Sequence, residues 1–145
     1  MKGMFNLHLP SYLCHLTSSP MLPDITTRAH IENLFTQFYQ QAFADPVIGY
    51  IFTDVTHLDL IKHMPVIANF WEDMLLTSHN YFGNPMKVHQ QIDQLSRLTP
   101  EHFARWLQLW EQTIDANFKG ETADMAKQRA HGIAKIMMAK IEMAR

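Results

Sequence analysis

Apolar residues recur along this chain at helical spacing and almost nowhere at the strict alternation of a half-buried strand. Ile31, Leu34, Phe35, Phe38, Tyr39, Ala42 and Phe43 share one helical face. Asp45-Pro46 stops that helix, and Pro46 starts a short one over 47–52. The next pattern predicts a helix over 57–76. His63, Ile67, Phe70 and Met74 form one stripe on it, and Leu60, Met64, Trp71 and Leu75 form a neighbouring one. Pro65 falls inside this pattern, so a kink or a two-part helix is expected. A short helix follows over 85–92. Thr99-Pro100-Glu101-His102 starts the next, which runs through Phe103, Trp106, Leu107, Trp110 and Ile114 to Phe118 and ends at Gly120. The last is expected over 122–143, with Ala126, Ala130, Ile133, Ala134, Met137 and Ile141 facing inward. The predicted class is all-α.

Residues 1–23 fit none of this. Pro10, Pro20 and Pro23 interrupt any helix and Ser18-Ser19-Pro20 is loop-like, so this stretch reads as a flexible arm ahead of a domain over 24–145. His8 and Pro10 break the apolar run that a signal peptide needs, and Met21 stands where translation could begin. With 145 residues the chain suits one domain with a real core. A net charge of −2 without a Lys/Arg run argues against nucleic acid as a partner. No apolar stretch is long enough to span a bilayer. The single cysteine, Cys14, rules out a disulfide framework and a Cys-rich metal knuckle.

Nine histidines, ten methionines and sixteen aromatic residues are many for this length. No two histidines are four apart, so a zinc-binding helix face is missing, and Glu-x-x-His, the signature of a carboxylate-bridged di-iron bundle, is absent as well. Histidines that cooperate must therefore come one per element. In Tyr81-Phe82-Gly83-Asn84-Pro85-Met86-Lys87-Val88-His89, Gly83 allows a left-handed or bent backbone, Asn84 can cap a helix and Pro85 suits its first position. A rigid turn of this kind fixes one imidazole, His89, as a metal ligand requires. Large aromatic and Met side chains at inward positions suit the walls around a planar apolar cofactor with one axial ligand. Tyr39, His63 and Trp106 each bring an N–H or O–H to an otherwise apolar face, where burial without a partner is costly.

Phe38-Tyr39, Asp45-Pro46-Val47-Ile48-Gly49-Tyr50-Ile51-Phe52, His63 with Asn69-Phe70-Trp71, Tyr81-x-Gly83-Asn84-Pro85-Met86-x-x-His89 and His102-Phe103-x-Arg105-Trp106-Leu107 occur in this order. Together they resemble the truncated haemoglobins, specifically the third group (P class), over nearly all of residues 24–143. The glycine pairs that mark other truncated classes are missing, which fits this group.

The resemblance implies a two-over-two helical sandwich around haem b (iron protoporphyrin IX). It implies His89 as the proximal iron ligand, with Tyr39, His63, Ile67 and Trp106 on the distal side. Phe52 and Phe70 would lie against the cofactor. Val88 precedes His89, so no cation adjacent in sequence meets a haem propionate; Lys62, Lys87, Arg97 and Tyr81 remain open as partners. His57, His79, His102 and His131 are not expected to be ligands. The implied function is reversible binding of O2, CO and NO by a cytoplasmic protein. The alternative is a haem enzyme for NO dioxygenation or peroxidase-type chemistry. It would need a separate reductase, since no flavin or nicotinamide fingerprint is present.

Overall fold

Each α-helix among the described residues begins where a short polar side chain takes up the first free N–H groups. The computed structural model describes residues 21–145, so Cys14 and nearly all of the arm expected over 1–23 lie outside the described residues. Among the described residues there are five α-helices and no strand. They are α1 (Arg28–Ala44), α2 (Leu60–Leu76), α3 (Pro85–Leu95), α4 (Pro100–Asn117) and α5 (Glu121–Met143), with a π-helical turn, Ile51–Val55, between α1 and α2. Thr27 accepts from the His30 N–H, Asp59 from Ile61 and Lys62, Asn84 from Lys87 and Thr99 from His102. His102 completes the box on α4: its Nδ1 accepts the Thr99 N–H at 3.1 Å, the place a Glu usually fills. Nδ1 being the acceptor, a neutral His102 carries its proton on Nε2 and donates it to the Tyr50 hydroxyl at 3.1 Å.

α5 starts differently. Gly120 has no side chain to offer, and Asp24, far away in sequence, accepts from Thr122 at 3.0 Å and Ala123 at 2.8 Å. Gly120 sits at φ 147°, and a Cβ there would meet the Asp24 carboxylate at 2.5 Å. Glycine is therefore required on both counts. It opens α5 instead of closing α4, which ends at Asn117.

Three boundaries differ from expectation. α2 begins at Leu60 and not at His57, whose φ of 47° is left-handed. Pro65 still lies inside α2, beyond its first turn, where it cannot bond the carbonyl of Ile61; that carbonyl belongs to an exposed residue, within reach of water. α2 nevertheless runs through Pro65 as one element. The short helix expected over 47–52 begins later, after a turn over 46–48, and widens into the π-helical segment: the Thr56 N–H reaches the Ile51 carbonyl at 3.0 Å and its hydroxyl bonds the same oxygen at 2.9 Å. α3 runs to Leu95, three residues past the expected end.

α1 packs on α2 and on α4, and α4 packs on α5, so that two helix pairs cross. Fully buried Phe35, Phe38 and Trp110 fill the crossing. Trp71 approaches Trp110 at 4.8 Å between ring centroids, Phe35 at 5.0 Å, and Trp106 lies stacked on its other side at 5.2 Å. Aromatic pairs of this kind add roughly 0.5–1.5 kcal/mol each beyond burial. The Trp110 indole N–H is satisfied by the Ala126 carbonyl at 3.2 Å. α3 lies outside this core and touches α5. No helix among the described residues is long and apolar enough to cross a membrane.

Buried Asp45 ties the end of α1 to α4. Its carboxylate accepts from the Val47 and Ile48 N–H groups at 3.0 and 3.1 Å and from Arg105 Nε at 2.8 Å and Nη2 at 2.7 Å. Burial alone pushes this carboxyl up, but Arg105 and the two backbone donors outweigh it and hold it below the ordinary range. A depressed folded pKa gives stability that is present above the unfolded value and lost as pH falls through the folded one. Arg105→Met is expected to cost about 1–3 kcal/mol at neutral pH, because it strands a buried carboxylate. The deficit should shrink toward roughly pH 3, where the acid is neutral in the variant. Urea unfolding of both proteins at the two pH values checks this; an equal deficit at both would show that only packing was lost.

Candidate functional site

α3 places one imidazole with unusual economy of contacts. None of its residues is fully buried. The helix instead depends on its first turn, where Asn84 accepts the Lys87 N–H at 3.0 Å and Pro85 occupies the first position. Gly83 does not take the left-handed conformation that the sequence allowed. What it supplies is room, since a Cβ there would meet the Tyr81 hydroxyl at 2.4 Å. Tyr81 in turn sets its ring edge-on to Phe70 at 5.2 Å. Asp73 fixes this loop by accepting from the Ser78 hydroxyl and from the Asn80 and Tyr81 N–H groups.

His89 projects from α3 with its Nδ1 2.6 Å from the Pro85 carbonyl. A carbonyl only accepts, so Nδ1 carries the proton and Nε2 keeps its lone pair. Burial lowers the pKa of this imidazole, more than the bond to Pro85 raises it, and so favours the neutral form. An oriented neutral imidazole with Nε2 free is the donor that an axial metal position takes. Among the described residues no group of three or more His, Cys, Asp or Glu side chains could hold a metal ion. The chemistry of the donors thus fits a metal that arrives within a cofactor and asks the protein for one nitrogen.

Across from α3, α1 and α2 bring Tyr39 and His63 together. The Tyr39 hydroxyl lies 2.9 Å from His63 Nε2, and the rings meet edge-on at 5.7 Å. Burial raises the pKa of Tyr39, which keeps its proton. Burial lowers that of His63, and His89 lowers it further. Phe52, held by the π-helical turn, stacks on Phe43 at 5.5 Å and stands edge-on to Tyr39 at 5.8 Å. Ile67 and Phe70 are half-buried on the face of α2 that packs against the core. Trp106 is half-buried between Trp110 and the edge of Phe38, 5.1 Å away, and its indole N–H has no partner among the described residues. Tyr39 and His63 are thus in direct contact, whereas Trp106 reaches them only by way of Phe38.

Of the suggested partners for a cofactor's carboxylates, Lys62 is exposed and 4.0 Å from Asp59, Lys87 and Arg97 are exposed, and Tyr81 rests on Phe70. His57 and His79 are exposed, His102 caps α4, and His131 lies 2.5 Å from Glu111. Sequence reasoning missed three polar ties around the site. Arg28 joins α1 to α2 through Glu72 and Asn69, at 2.5 and 2.6 Å. Asp45 binds Arg105 next to Trp106, and Asp93 binds Arg145 at 2.8 Å. Their partners are 41 to 60 residues apart, and no local pattern announces them.

No protein-family model matches the chain. It is 31% identical over 107 residues to "Group 3 truncated hemoglobin ctb" of Campylobacter jejuni, spanning 72% of this chain and 82% of that protein. It superposes on the crystal structure of the group III truncated hemoglobin from Campylobacter jejuni with a TM-score of 0.73 and 29% identity, over 83% of this chain and 95% of the other. With the same overall fold and a similar sequence along most of the relative's length, this chain belongs to the group 3 truncated haemoglobins and is a globin-type haem protein.

Proposed function

We propose that the protein binds O2, and with it CO and NO, reversibly at haem b, with His89 as the protein's ligand to the iron. Residues 24–145 form the haem-binding unit. The observation that carries the reading is the bond from His89 Nδ1 to the Pro85 carbonyl, which leaves Nε2 free and aimed away from its own helix's backbone. Haem, when bound, would be held through His89 and would supply an iron able to bind a small diatomic molecule.

The chain's own residues then decide which molecule is held. Ile67 and Phe70 wall the distal side and exclude water, while Phe52 stands against the cofactor. Tyr39, His63 and Trp106 furnish the polar groups. The Tyr39 oxygen and His63 Nε2 share one hydrogen bond, so two arrangements exist. With Nε2 unprotonated, the tyrosine donates to it. With Nε2 protonated, the histidine donates, and the tyrosine's own O–H is free to turn to the ligand. Trp106 brings an N–H not engaged among the described residues. O2 draws negative charge when it binds a ferrous centre and CO draws much less. Donors therefore favour O2 by roughly 1.5–3 kcal/mol per charge-assisted bond. That corresponds to about one to two decades in affinity, expressed mostly in slower release.

The contact between Tyr39 and His63 also favours a second reading. A hydroxyl and an imidazole in hydrogen-bond contact form a path for a proton. NO dioxygenation or peroxidase-type turnover, with electrons from a separate reductase, would use such a path. Consumption of NO or peroxide by the reduced protein over many cycles separates an enzyme from a binder.

Two outcomes test the primary reading. His89→Gly should lose haem or hold it loosely, and added imidazole should restore binding and the ferrous-CO spectrum; an unchanged haem-to-protein ratio without imidazole would assign the ligand elsewhere. Tyr39→Phe and Trp106→Phe should each speed O2 release by roughly ten- to a hundredfold and change CO release less. Because both donors address one ligand, their effects should couple in the double variant. Stopped-flow release of the two gases measures this, and equal changes for both gases would point to pocket access instead of hydrogen bonding.

A further inference from the structure

α3 carries His89 but buries no residue of its own, so something outside the helix must hold it in place. Its first turn is fixed by Asn84 and Pro85. Its far end meets α5 across a groove lined by Gln90, Gln94, Arg97 and Ile141, where side-chain packing is incomplete. One polar contact closes this groove. Arg145, just beyond the end of α5, grips Asp93 with Nη2 on Oδ1 at 2.8 Å and Nε on Oδ2 at 3.3 Å. The same Nη2 donates to the Leu98 carbonyl at 2.9 Å. Asp93 Oδ1 also accepts the Leu98 N–H at 2.8 Å, which turns the chain as it leaves α3. A single carboxylate thus joins three things: the last turn of α3, the segment leading to α4, and the end of α5.

Asp93 lies four residues after His89, one helical turn further along the same face. We propose that the Asp93–Arg145 pair is a clamp that positions His89, and that the firmness with which the imidazole holds the haem iron depends on it. The proposal rests on the reading of His89 as the iron's ligand. The pair is better placed than an ordinary surface pair, since the Asp93 side chain is only 10% exposed and that of Arg145 28%. Arg145, with the Leu98 N–H, also holds the Asp93 carboxyl below its ordinary pKa against the effect of burial. A bidentate guanidinium fixes orientation as well as distance. Without it the far end of α3 would be held only by the partly buried Ile92 and by its packing on α5. A shift of the helix about its first turn would move His89, which lies between the cap and the clamp.

The test uses the full-length haem-loaded protein and two readouts: the rate of haem transfer to an excess of a scavenging apoglobin, and the iron–histidine stretching band of the ferrous form. Asp93→Asn removes the charge but leaves an oxygen for the Leu98 N–H, so the turn after α3 survives. Arg145→Gln removes the other partner, and Arg145→Lys restores the charge without the fork. Each of the first two should speed haem loss roughly three- to tenfold and shift or broaden the band. The double variant should be no worse than either single one, and Arg145→Lys should recover part of the effect. The clamp is overturned if both readouts stay at the wild-type values, or if the single effects multiply in the double variant. His89→Gly serves as the reference. If it abolishes the band while the clamp variants leave it alone, only the clamp is wrong; if it keeps the band, the assignment of His89 falls and the clamp with it.

Discussion

An imidazole becomes a dependable ligand only when its other nitrogen is already engaged. In this protein the hydrogen bond from His89 Nδ1 to the carbonyl of Pro85, 2.6 Å long, meets that condition within one helical turn. The same proline begins the helix and supplies the acceptor. Its carbonyl is well placed because Asn84 caps the turn and because Pro85 needs no N–H partner of its own. Geometry of this local kind is cheap in sequence and demanding in context: the turn orients the ring relative to α3, while other contacts must orient α3 relative to the rest of the fold.

Those other contacts divide into two kinds. On the side of α1, α2 and α4 the framework is apolar and interlocked. Trp110 sits among Phe35, Phe38, Trp71 and Trp106, so Tyr39 and His63 project from helices that share one packed centre. Interiors packed at this density resist small displacements, because any shift opens voids or forces rotamers. On the side of α3 no residue is fully buried, Ile92 alone of its side chains packs on the core, and the remaining ties are polar: a cap, a loop organised around Asp73, and an ion pair to the end of α5. Polar ties are directional, and they hold a helix by a few points instead of along its length.

The difference explains what could be read from the sequence. The inward face of α1 was legible because its burial follows directly from the spacing of Ile31, Leu34, Phe35, Phe38, Tyr39 and Ala42, all of them buried. The turn before His89 was legible because Asn84 and Pro85 act on their immediate neighbours. α2 starts three residues later than its apolar spacing predicts, because Asp59 caps it at Leu60 while His57 is left-handed, a backbone choice that spacing does not encode. Gly83 was expected for its backbone freedom and serves instead to clear the ring of Tyr81, a reason that depends on how the loop folds back. The π-helical turn rests on the Thr56 hydroxyl and the Ile51 carbonyl, a pairing that no periodicity encodes. The capping of α5 by Asp24 joins residues about a hundred positions apart, so no local window contains it.

From this division follows an asymmetry in how the protein can be tuned. A substitution among the aromatic residues of the packed centre disturbs stability before it alters the chemistry near Tyr39, since the ring network is shared by three helices. A substitution at the polar ties of α3 has less of the buried core to disturb. Tyr39 and His63 are thus held by the part of the molecule that is hardest to change, and His89 by the part that is easiest. Under the proposed reading of these residues, the donors to the ligand stay fixed while the grip on the cofactor is adjusted through residues that touch neither.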